Sequence, residues 1–418
     1  MAREMKDSGI EWIGEIPKDW KVVKVKNIFK NTKKIVGDRE KEFERLALTL
    51  KGVLKRDKND NKGLQSEKFS TYQILEKDEL VFKMIDLENK NTSRVGFSKY
   101  TGIVSPVYII LNNDKYTRYG YYFFYDMWQR YIFNTLGNNG VRSALNAKDM
   151  LNLPFFKLDL KEQEKIANYL DKKISDIDLI IEKTKTTIED YKKYKQSIIT
   201  EAVTKGLNSN VEMKDSGLEE IPKIPIHWDI KKIKYVLKES NERTKTGKEE
   251  PLSMSQKYGL IPTKNMDRVP NMASSFDNCK IVYKNDLVFN KLKAHLGVFS
   301  KSNYNGIVSP DYAVYRSKTE VEIRYLEFLF KTKEYISQFI KFSRGVAQGL
   351  TRLYTEEFFN IYIIFPCIEE QQQIVEYLDK KVSEIDNLIV KKESLISEME
   401  EYKKSLIYEC VTGKKEIV

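Results

Sequence analysis

Apolar residues return at alternating steps of four and three along two segments of the chain, which is the pattern of a helix that buries one seam. The first segment starts at Leu170 and the second at Leu378. The first seam consists of Leu170, Ile174, Ile177, Ile181, Thr184, Ile188, Tyr191, Lys195, Ile198 and Ala202. The second consists of Leu378, Val382, Ile385, Ile389, Lys392, Ile396, Met399, Lys403, Leu406 and Cys410. Helices of about 40 residues over these segments would each be roughly 60 Å long.

Proline and glycine mark the ends of both predicted helices. Pro154 and Pro366 lie upstream, where the helices cannot yet have begun. Gly206 and Gly413 follow the last seam positions, as glycine commonly does at a helix C-terminus.

Two such seams in one chain can most simply pair with each other as an antiparallel coiled coil. Pairing between two chains is the alternative. Lys195 and Lys403 occupy seam positions, where a polar side chain can set the register of a coiled coil or help admit a partner.

The chain is also a tandem duplication. The segment MKDSGIEWIGEIPKDWKVVKVKNIF from Met5 returns as MKDSGLEEIPKIPIHWDIKKIKYVL from Met213, an offset of 208 residues. Two further matches are GIVSPVY with GIVSPDY, from Gly102 and Gly306, and EQEKIANYLDKKISDID with EQQQIVEYLDKKVSEID, from Glu162 and Glu370. Each copy therefore consists of a globular part followed by one long helix.

The globular parts show the patterns of a mixed α and β structure. Short apolar runs, such as 80–82 and 107–111, are bounded by Gly, Asn, Asp and Pro, as strands are. Aromatic-rich segments at 118–135 and 322–342 indicate largely buried helices. The two parts resemble each other at their ends and diverge between them, roughly across 30–100 in one copy and 238–305 in the other.

The amino-acid composition indicates what kind of partner the protein binds. The 418 residues carry 72 Lys and Arg against 61 Asp and Glu, a net charge of +11, and 41% of them are hydrophobic. That is enough apolar material for real cores in two or three domains and excludes a disordered chain. The positive charge favours an anionic partner, with nucleic acid the first candidate.

The same composition bears on location. No run of about 18 apolar residues is present, so we expect no transmembrane helix. The opening MAREMKDSGIEWIGEIP lacks the apolar core of a signal peptide, so we expect no export. The three cysteines, Cys279, Cys367 and Cys410, lie far apart in sequence, which favours a reducing cytoplasm over a disulfide framework.

Catalytic and metal-binding patterns are missing from the sequence. His227 and His295 are the only histidines and neither is near a cysteine at ligand spacing, so no metal site is expected. No phosphate-binding loop, dinucleotide fingerprint or nucleophile elbow occurs. The carboxylate pairs Asp176/Asp178 and Glu384/Asp386 fit solvated charges beside a seam better than acid–base catalysts. The sequence therefore predicts a protein without an active site.

Polar side chains near glycine in otherwise apolar surroundings are the candidate DNA-binding residues. Arg and Lys can read guanine edges, Asn and Gln can read adenine, and glycine lets the backbone approach a phosphate. For each of them the alternative is a loop cap or a surface charge. The candidates are Arg94, Lys99, Asn138, Asn139, Arg142 and Ser143 in the first copy, and Lys291, Lys293, Arg344, Gln348, Thr351 and Arg352 in the second.

Three of these features together resemble the specificity (S) subunits of Type I restriction–modification enzymes, over essentially the whole chain. They are the WIGEIPKDW opening repeated as IPKIPIHW, the EQ-x-x-I-x-x-YLD-x-K-[IV]-S-x-ID start of each long helix, and the two-copy architecture. The resemblance implies that each globular part is a target-recognition domain for one half of a split DNA site. It also implies that the two helices pack antiparallel as a spacer.

The resemblance further implies partners that carry the chemistry. Two modification subunits would methylate adenine N6 with S-adenosylmethionine, and restriction subunits would add translocation and cleavage with ATP and Mg. No cofactor is expected on this chain, which also lacks an Asn/Asp-Pro-Pro-Tyr/Phe motif. Divergence between the two globular parts implies an asymmetric DNA target.

The resulting prediction is a pseudo-two-fold symmetric α+β protein with two target-recognition domains and an antiparallel coiled-coil spacer. Its parts are 1–159, the first recognition domain; 160–209, the central spacer helix; 210–367, the second recognition domain; and 368–418, the C-terminal spacer helix. Two alternatives remain. A coiled-coil adaptor without DNA readout would show no salt-dependent DNA binding, and a self-sufficient nuclease or methyltransferase would be active alone.

Overall fold

The computed structural model describes residues 3–57, 69–88, 92–113, 115–136, 144–255, 258–267, 276–347 and 350–417. The chain folds as two units. The first unit comprises Met1–Lys185 together with Glu393–Val418, and the second comprises Thr186–Lys392. Each unit thus contains one globular part and a section of each long helix. Within the described ranges, no helix is both long enough and apolar enough to cross a membrane.

Two helices are much longer than the rest. The helices are α1 (Thr117–Gln129), α2 (Ile132–Leu136), α3 (Ala147–Asn152), α4 (Leu160–Lys205), α5 (Ile233–Val236), α6 (Ile323–Phe330), α7 (Lys333–Phe342), α8 (Thr355–Asn360) and α9 (Ile368–Val411). The 46 residues of α4 and the 44 of α9 are the two helices that the apolar seams predict. Four short 3-10 helices occur at Val25–Asn27, Gly37–Glu42, Thr263–Asn265 and Lys291–Leu296.

The first globular part is built on antiparallel strands. They are β1 (Met5–Asp7), β2 (Glu15–Pro17), β3 (Lys21–Lys24), β4 (Lys30–Asn31), β5 (Leu46–Thr49), β6 (Gly52–Lys55), β7 (Gln73–Leu75), β8 (Leu80–Phe82), β9 (Val95–Phe97), β10 (Gly102–Val104), β11 (Ile109–Asn112) and β12 (Pro154–Lys157). A four-stranded sheet has the order β4-β11-β8-β9, and the strand pairs β1-β2, β3-β12, β5-β6 and β7-β10 form separate two-stranded sheets.

The second globular part repeats this topology. Its strands are β13 (Met213–Leu218), β14 (Ile221–Pro225), β15 (Asp229–Lys232), β16 (Leu237–Glu239), β17 (Leu252–Ser255), β18 (Gly259–Pro262), β19 (Lys280–Val282), β20 (Leu287–Asn290), β21 (Phe299–Lys301), β22 (Gly306–Val308), β23 (Tyr312–Ser317), β24 (Arg344–Ala347), β25 (Leu350–Arg352) and β26 (Tyr362–Phe365). The four-stranded sheet has the order β16-β23-β20-β21, which is the order of the first part's sheet. The hairpin β24-β25 follows α7.

The aromatic segments are broken helices. In the first copy α1 and α2 are separated at Tyr131, whose φ of +59° ends a helical run. In the second copy Thr332 caps the start of α7 by accepting a hydrogen bond from the Tyr335 amide. The expected burial is present, since Phe123, Phe124 and Phe330 are all inaccessible to solvent or nearly so.

A glycine in the repeated GIVSP motif is required by close packing in both copies. The amide of Ile103 donates to the Glu44 carbonyl at 2.9 Å, and a side chain on Gly102 would collide with that carbonyl. In the second copy the Ile307 amide donates to Glu250 O at 2.9 Å, and Gly306 meets the same obstruction. The glycine of the motif therefore lets β10 and β22 pack closely against the backbone at Glu44 and Glu250, respectively.

Within the first unit, α4 and α9 run in opposite directions. The start of α4 and the end of α9 both meet Trp20, through Glu162 on one side and Gly413 on the other. Further along, Lys403 Nζ donates to the Asp178 carboxylate at 2.6 and 2.9 Å. The seam residues Ile177 and Leu406 belong to the same apolar core.

Within the second unit, the other sections of these helices make the corresponding contacts. Lys195 Nζ donates to Asp386 Oδ1 at 2.5 Å. Asp178 and Asp386 occupy the same place in the sequence repeat, as do Lys195 and Lys403. All the apolar residues predicted for the two seams are buried or partly buried. Lys195 and Lys403 thus each pair with a carboxylate at the edge of the seam on the other helix.

Candidate nucleic-acid interface

A tryptophan and a glutamate tie the first globular part to the start of α4. Trp20 Nε1 donates to Glu162 Oε2 at 2.9 Å, and Arg3 donates to the other carboxylate oxygen at 2.5 Å. Trp20 is fully buried. A charge-assisted hydrogen bond from a buried ring resists rotation of the globular part on its helix.

The second globular part has the same connection to α9. Trp228 Nε1 donates to Glu370 Oε2 at 2.9 Å, and His227 Nε2 lies 2.9 Å from the same oxygen. Trp228 is also fully buried. A buried tryptophan therefore holds each globular part to the start of the long helix that follows it.

Three candidate residues of the second copy meet on the hairpin β24-β25. Arg344 lies directly opposite Arg352, and Gly345 lies opposite Thr351. Thr351 is exposed and Arg344 is 71% exposed, with its guanidinium paired to Glu357. The fourth candidate of this segment, Gln348, lies outside the described residues. A two-stranded ribbon with arginines across from each other is one of the elements that can enter a DNA groove.

Arg352 is held more closely than Arg344. Its Nη2 lies 3.6 Å from Asp311 Oδ1, and its Cζ lies 5.5 Å from the centre of the Tyr354 ring. The Nε atom is buried and makes no hydrogen bond to any residue in the described ranges. The side chain is 27% exposed. Arg352 is thus flanked by a carboxylate and a ring, and part of its side chain remains exposed.

Lys291 belongs to a partly buried charge cluster beside this hairpin. Its Nζ donates to Glu239 Oε1 at 2.9 Å and to Thr355 Oγ1 at 3.0 Å, and Lys280 Nζ lies 3.3 Å from the same Glu239 oxygen. The Lys291 carbonyl accepts a hydrogen bond from the Leu353 amide at 3.0 Å. The cluster thus fixes the strand end that follows Arg352.

Burial and charge act in opposite directions on the pKa values of this cluster. Burial lowers the pKa of Lys280 below its ordinary value, against the attraction of Glu239. For Glu239, burial raises the pKa, but the hydrogen bonds from Lys291 and Thr355 and the nearby lysine charges outweigh it and hold the pKa low. The carboxylate therefore stays ionised between two lysines. Lys293, in the following 3-10 helix, is exposed.

The candidates of the first copy are more dispersed. Arg94 is buried, and its guanidinium donates to the Asp86 carbonyl at 2.5 Å and to Thr92 Oγ1 at 3.3 Å. Burial lowers the pKa of Arg94. Lys99 is exposed. Asn138, Asn139, Arg142 and Ser143 lie outside the described residues.

A cavity stands in the first copy where the second copy has Arg352 and Asp311. Among the residues that line it are Ile85, Val107, Tyr108 and Ala144. Val107 occupies the place of Asp311 in the GIVSP motif, and Ala144 occupies the place of Arg352. Asp311 is not among the candidate residues predicted from the sequence, although the difference between GIVSPVY and GIVSPDY is a signal that could identify it.

The described residues include no group of three or more His, Cys, Asp or Glu side chains that could hold a metal ion. The cysteines Cys279, Cys367 and Cys410 carry free thiols, and burial raises the pKa of Cys410 to about 12.

The chain is similar to proteins of one system. Residues 225–396 match the model of the Type I restriction modification DNA specificity domain. The Type I restriction enzyme MjaVIII specificity subunit of Methanocaldococcus jannaschii is 22% identical over 420 residues, which cover 96% of this chain and 93% of that subunit. The resemblance predicted from the sequence is confirmed. It extends beyond the matched domain to nearly the whole chain.

Solved structures share the fold. A chain from a study of complex assembly and conformational transition in the type I R-M system superposes with a TM-score of 0.69 at 12% identity, covering 95% of this chain and 98% of that chain. The HsdS subunit from Thermoanaerobacter tengcongensis superposes with a TM-score of 0.54 at 13% identity, covering 98% of this chain and all of that one. The mixed α and β architecture with two long helices is thus a known fold.

Proposed function

We propose that this chain is the DNA-recognition subunit of a Type I restriction–modification enzyme and has no catalytic activity of its own. The observation that carries the proposal is the similarity of a duplicated chain to a Type I specificity subunit over 96% of its length. A coiled-coil adaptor without DNA readout is disfavoured, because the matched region is a DNA specificity domain. The proposed location is the cytoplasm, where the DNA and the partner subunits are.

In this proposal each globular part reads one half of a bipartite site. Residues 1–159 and 210–367 are the two recognition domains, and 160–209 and 368–418 are the spacer helices. The shared sheet order supports a common way of presenting the surface. Divergent side chains on that surface, such as Ala144 and Arg352, support two different half-sites and hence an asymmetric target.

The DNA-contacting residues remain those that the sequence suggests. Exposure supports Lys99, Lys293, Arg344 and Thr351 as contacts to bases or phosphates. The buried Arg94 and the half-buried Lys291 fit the support of a neighbouring segment better, because both are engaged by protein oxygens. The remaining members of the proposed interface are Asn138, Asn139, Arg142, Ser143, Gln348 and Arg352.

The two long helices form an antiparallel coiled coil that sets the distance between half-sites, and the duplication gives the chain a pseudo-two-fold axis. The opposite directions of α4 and α9 in the first unit support this pairing. Pseudo-symmetric proteins meet half-sites about one turn of DNA apart, roughly 34–36 Å, and the helices are long enough for that separation. Two modification subunits would then dock on the two repeats, with restriction subunits added in the complete enzyme.

The proposal is tested by expressing the chain with its modification subunit in cells free of other adenine methylation and mapping N6-methyladenine across the genome. A bipartite asymmetric motif that appears only when both proteins are present is expected. The chain alone should produce no methylation, which is the control. Methylation at scattered sites without a motif, or a motif that persists when this chain is omitted, would contradict the proposal.

A second measurement separates the proposal from the adaptor alternative. Affinity of the assembled complex for a duplex with the mapped motif should fall linearly on a plot of log affinity against log salt concentration, because bound phosphates release counterions. A duplex with one half-site scrambled should bind more weakly at every salt concentration. Equal binding to both duplexes would contradict sequence recognition by two half-sites.

A further inference from the structure

The residue that follows the repeated GIVSP motif differs between the two copies, and the side chain that faces this residue differs with it. Gly102–Tyr108 reads GIVSPVY and Gly306–Tyr312 reads GIVSPDY. In both copies the motif closes the same turn, since the Tyr108 amide donates to Ser105 O at 3.1 Å and the Tyr312 amide donates to Ser309 O at 3.0 Å. Val107 and Asp311 therefore stand at equivalent points of the fold.

The facing position is equivalent as well. The Leu145 amide donates to the Met84 carbonyl at 2.9 Å, and the Leu353 amide donates to the Lys291 carbonyl at 3.0 Å. These bonds fix the residue before each leucine, Ala144 in the first copy and Arg352 in the second. Ala144 lines the same cavity as Val107, and Arg352 Nη2 lies 3.6 Å from Asp311 Oδ1. The pair is apolar in one copy and ionic in the other.

We propose that Arg352 reads a guanine in the half-site of the second recognition domain and that Asp311 is the residue that positions it. The inference rests on the proposed function. An arginine fork can donate two hydrogen bonds to O6 and N7 of guanine, and no other base offers those two acceptors in the major groove. Asp311 holds one edge of the guanidinium, and the Tyr354 ring lies 5.5 Å from its carbon, so the planar group is oriented before DNA arrives.

The chemistry of the first copy differs at this point. Val107 and Ala144 have no side-chain donor, so this pair cannot donate the two hydrogen bonds to a guanine that Arg352 can donate. The two half-sites therefore differ in base identity at the position that these equivalent pairs face.

The ion pair between Arg352 and Asp311 adds little to the stability of the fold. Asp311 is 62% exposed, and an ion pair with so exposed a partner contributes little to folding. Arg352 nevertheless keeps a buried Nε without a hydrogen bond among the described residues. Both observations fit a guanidinium that is oriented for a ligand rather than satisfied by the protein.

The test uses the full chain assembled with its modification subunits, with methylome mapping as the first readout. Arg352→Ala should relax one guanine position in the half-site of the second domain and leave the other half-site unchanged. Asp311→Ala should keep that guanine preference but weaken it several-fold. The double variant D311V/R352A recreates the apolar pair of the first copy, which folds in this chain, and should relax the motif as R352A does. Lys341→Ala, which removes an exposed cation on α7, is the matched control and should leave the motif unchanged.

Modified DNA provides the second readout. Replacing each guanine of that half-site in turn by 7-deazaguanine removes N7 alone. One of these replacements should weaken binding by the wild-type complex about ten-fold, as expected for loss of one base contact, and should have no further effect on R352A. Additive losses would overturn the proposed contact, as would an unchanged motif for R352A or an equal loss on all DNA sequences.

The outcomes separate the two proposals. If the wild-type complex directs a bipartite motif and R352A leaves it intact, this inference fails while the proposed function stands. If D311A matches the wild type while R352A relaxes the motif, the positioning role of Asp311 is overturned. If the wild-type chain directs no motif, the proposed function itself fails.

Discussion

Lys403 on α9 donates to both carboxylate oxygens of Asp178 on α4, at 2.6 and 2.9 Å. Lys403 interrupts an apolar seam, and its side chain is only 19% exposed. The aspartate stands at the edge of the same seam. A polar residue at a seam position lowers coiled-coil stability but favours the one register in which it finds its partner.

Replacing Lys403 by alanine should therefore destabilise the first unit. Loss of the ion pair and of the lysine stem is expected to cost about 1 kcal/mol, because Asp178 remains partly solvated. The measurement is the urea midpoint of unfolding, followed by circular dichroism. Lys404→Ala removes the neighbouring lysine, which pairs with Glu401 on its own helix, and should change stability by less than about 0.5 kcal/mol. Equal effects of the two substitutions would contradict a special role for Lys403.

Gly413 follows the end of α9 with a φ of +71°, and a side chain there would run into the ring of Pro17 and approach Trp20 at 3.1 Å. Gly413→Ala should lower the unfolding free energy by about 1–2 kcal/mol for the left-handed backbone and by about 1–3 kcal/mol more for the collision. The thermal midpoint reports the loss.

Gly217 gives the matched control for this substitution. Its φ of +70° is nearly the same, but no atom lies within 4 Å of the place that the β-carbon of an alanine would take. Gly217→Ala should therefore show the backbone cost alone. If both alanine variants lose the same stability, the contact between the end of α9 and Pro17 does not contribute.

Asp126 should make the first unit sensitive to pH. Its side chain is 4% exposed, and burial, only partly offset by Arg130, raises its pKa from near 3.8 to about 6. The folded protein then binds a proton that the unfolded chain releases between these values, so stability should fall as pH rises from about 4 to about 6. Asp126→Asn should remove this dependence and be more stable at pH 7, by up to about 3 kcal/mol.

The measurement is the difference in unfolding free energy between the wild type and Asp126→Asn from pH 4 to pH 8. Asp176→Asn, at an exposed carboxylate on α4, should follow the wild-type profile. Parallel profiles for wild type and Asp126→Asn would show that Asp126 titrates at the same pH in the folded and unfolded states.

Removing one heptad from each long helix should change the DNA site that the complex accepts. Seven residues shorten a helix by about 10.5 Å and preserve the seam, which corresponds to about three base pairs at 3.4 Å each. Methylome mapping should show the same half-sites with a shorter gap. Removing four residues instead rotates the seam and should abolish methylation. An unchanged gap after the heptad deletion would mean that the helices do not set the spacing.

The long helices and several strands are predictable from the sequence because their signals are local. The seam periodicity runs through α4 and α9, and the apolar run 80–82 is β8 itself. The break at Tyr131 is not predictable in this way, because a non-glycine residue with positive φ is uncommon and depends on its surroundings.

The candidate interface is likewise predictable from the sequence only in part. Arg344 and Arg352 stand out in sequence as cations beside glycine, but their position across one hairpin requires the strand register. The partner of Arg352, Asp311, is 41 positions away in sequence, so nothing local to either residue indicates that the two meet. Comparison of the two copies is what connects the pair, because both members change together.

The first unit is made of two separate stretches of the chain, and this affects when it can fold during synthesis. The second unit is one continuous stretch, Thr186–Lys392, whereas the first draws on Glu393–Val418 to complete the core around Trp20. That last stretch leaves the ribosome more than 200 residues after Lys185. The second unit can thus fold during translation. The first unit cannot complete its apolar core until translation has nearly ended. A chain that stops before Glu393 therefore leaves the apolar residues around Trp20 without the part of their core that Leu406, Ile407 and Val411 supply.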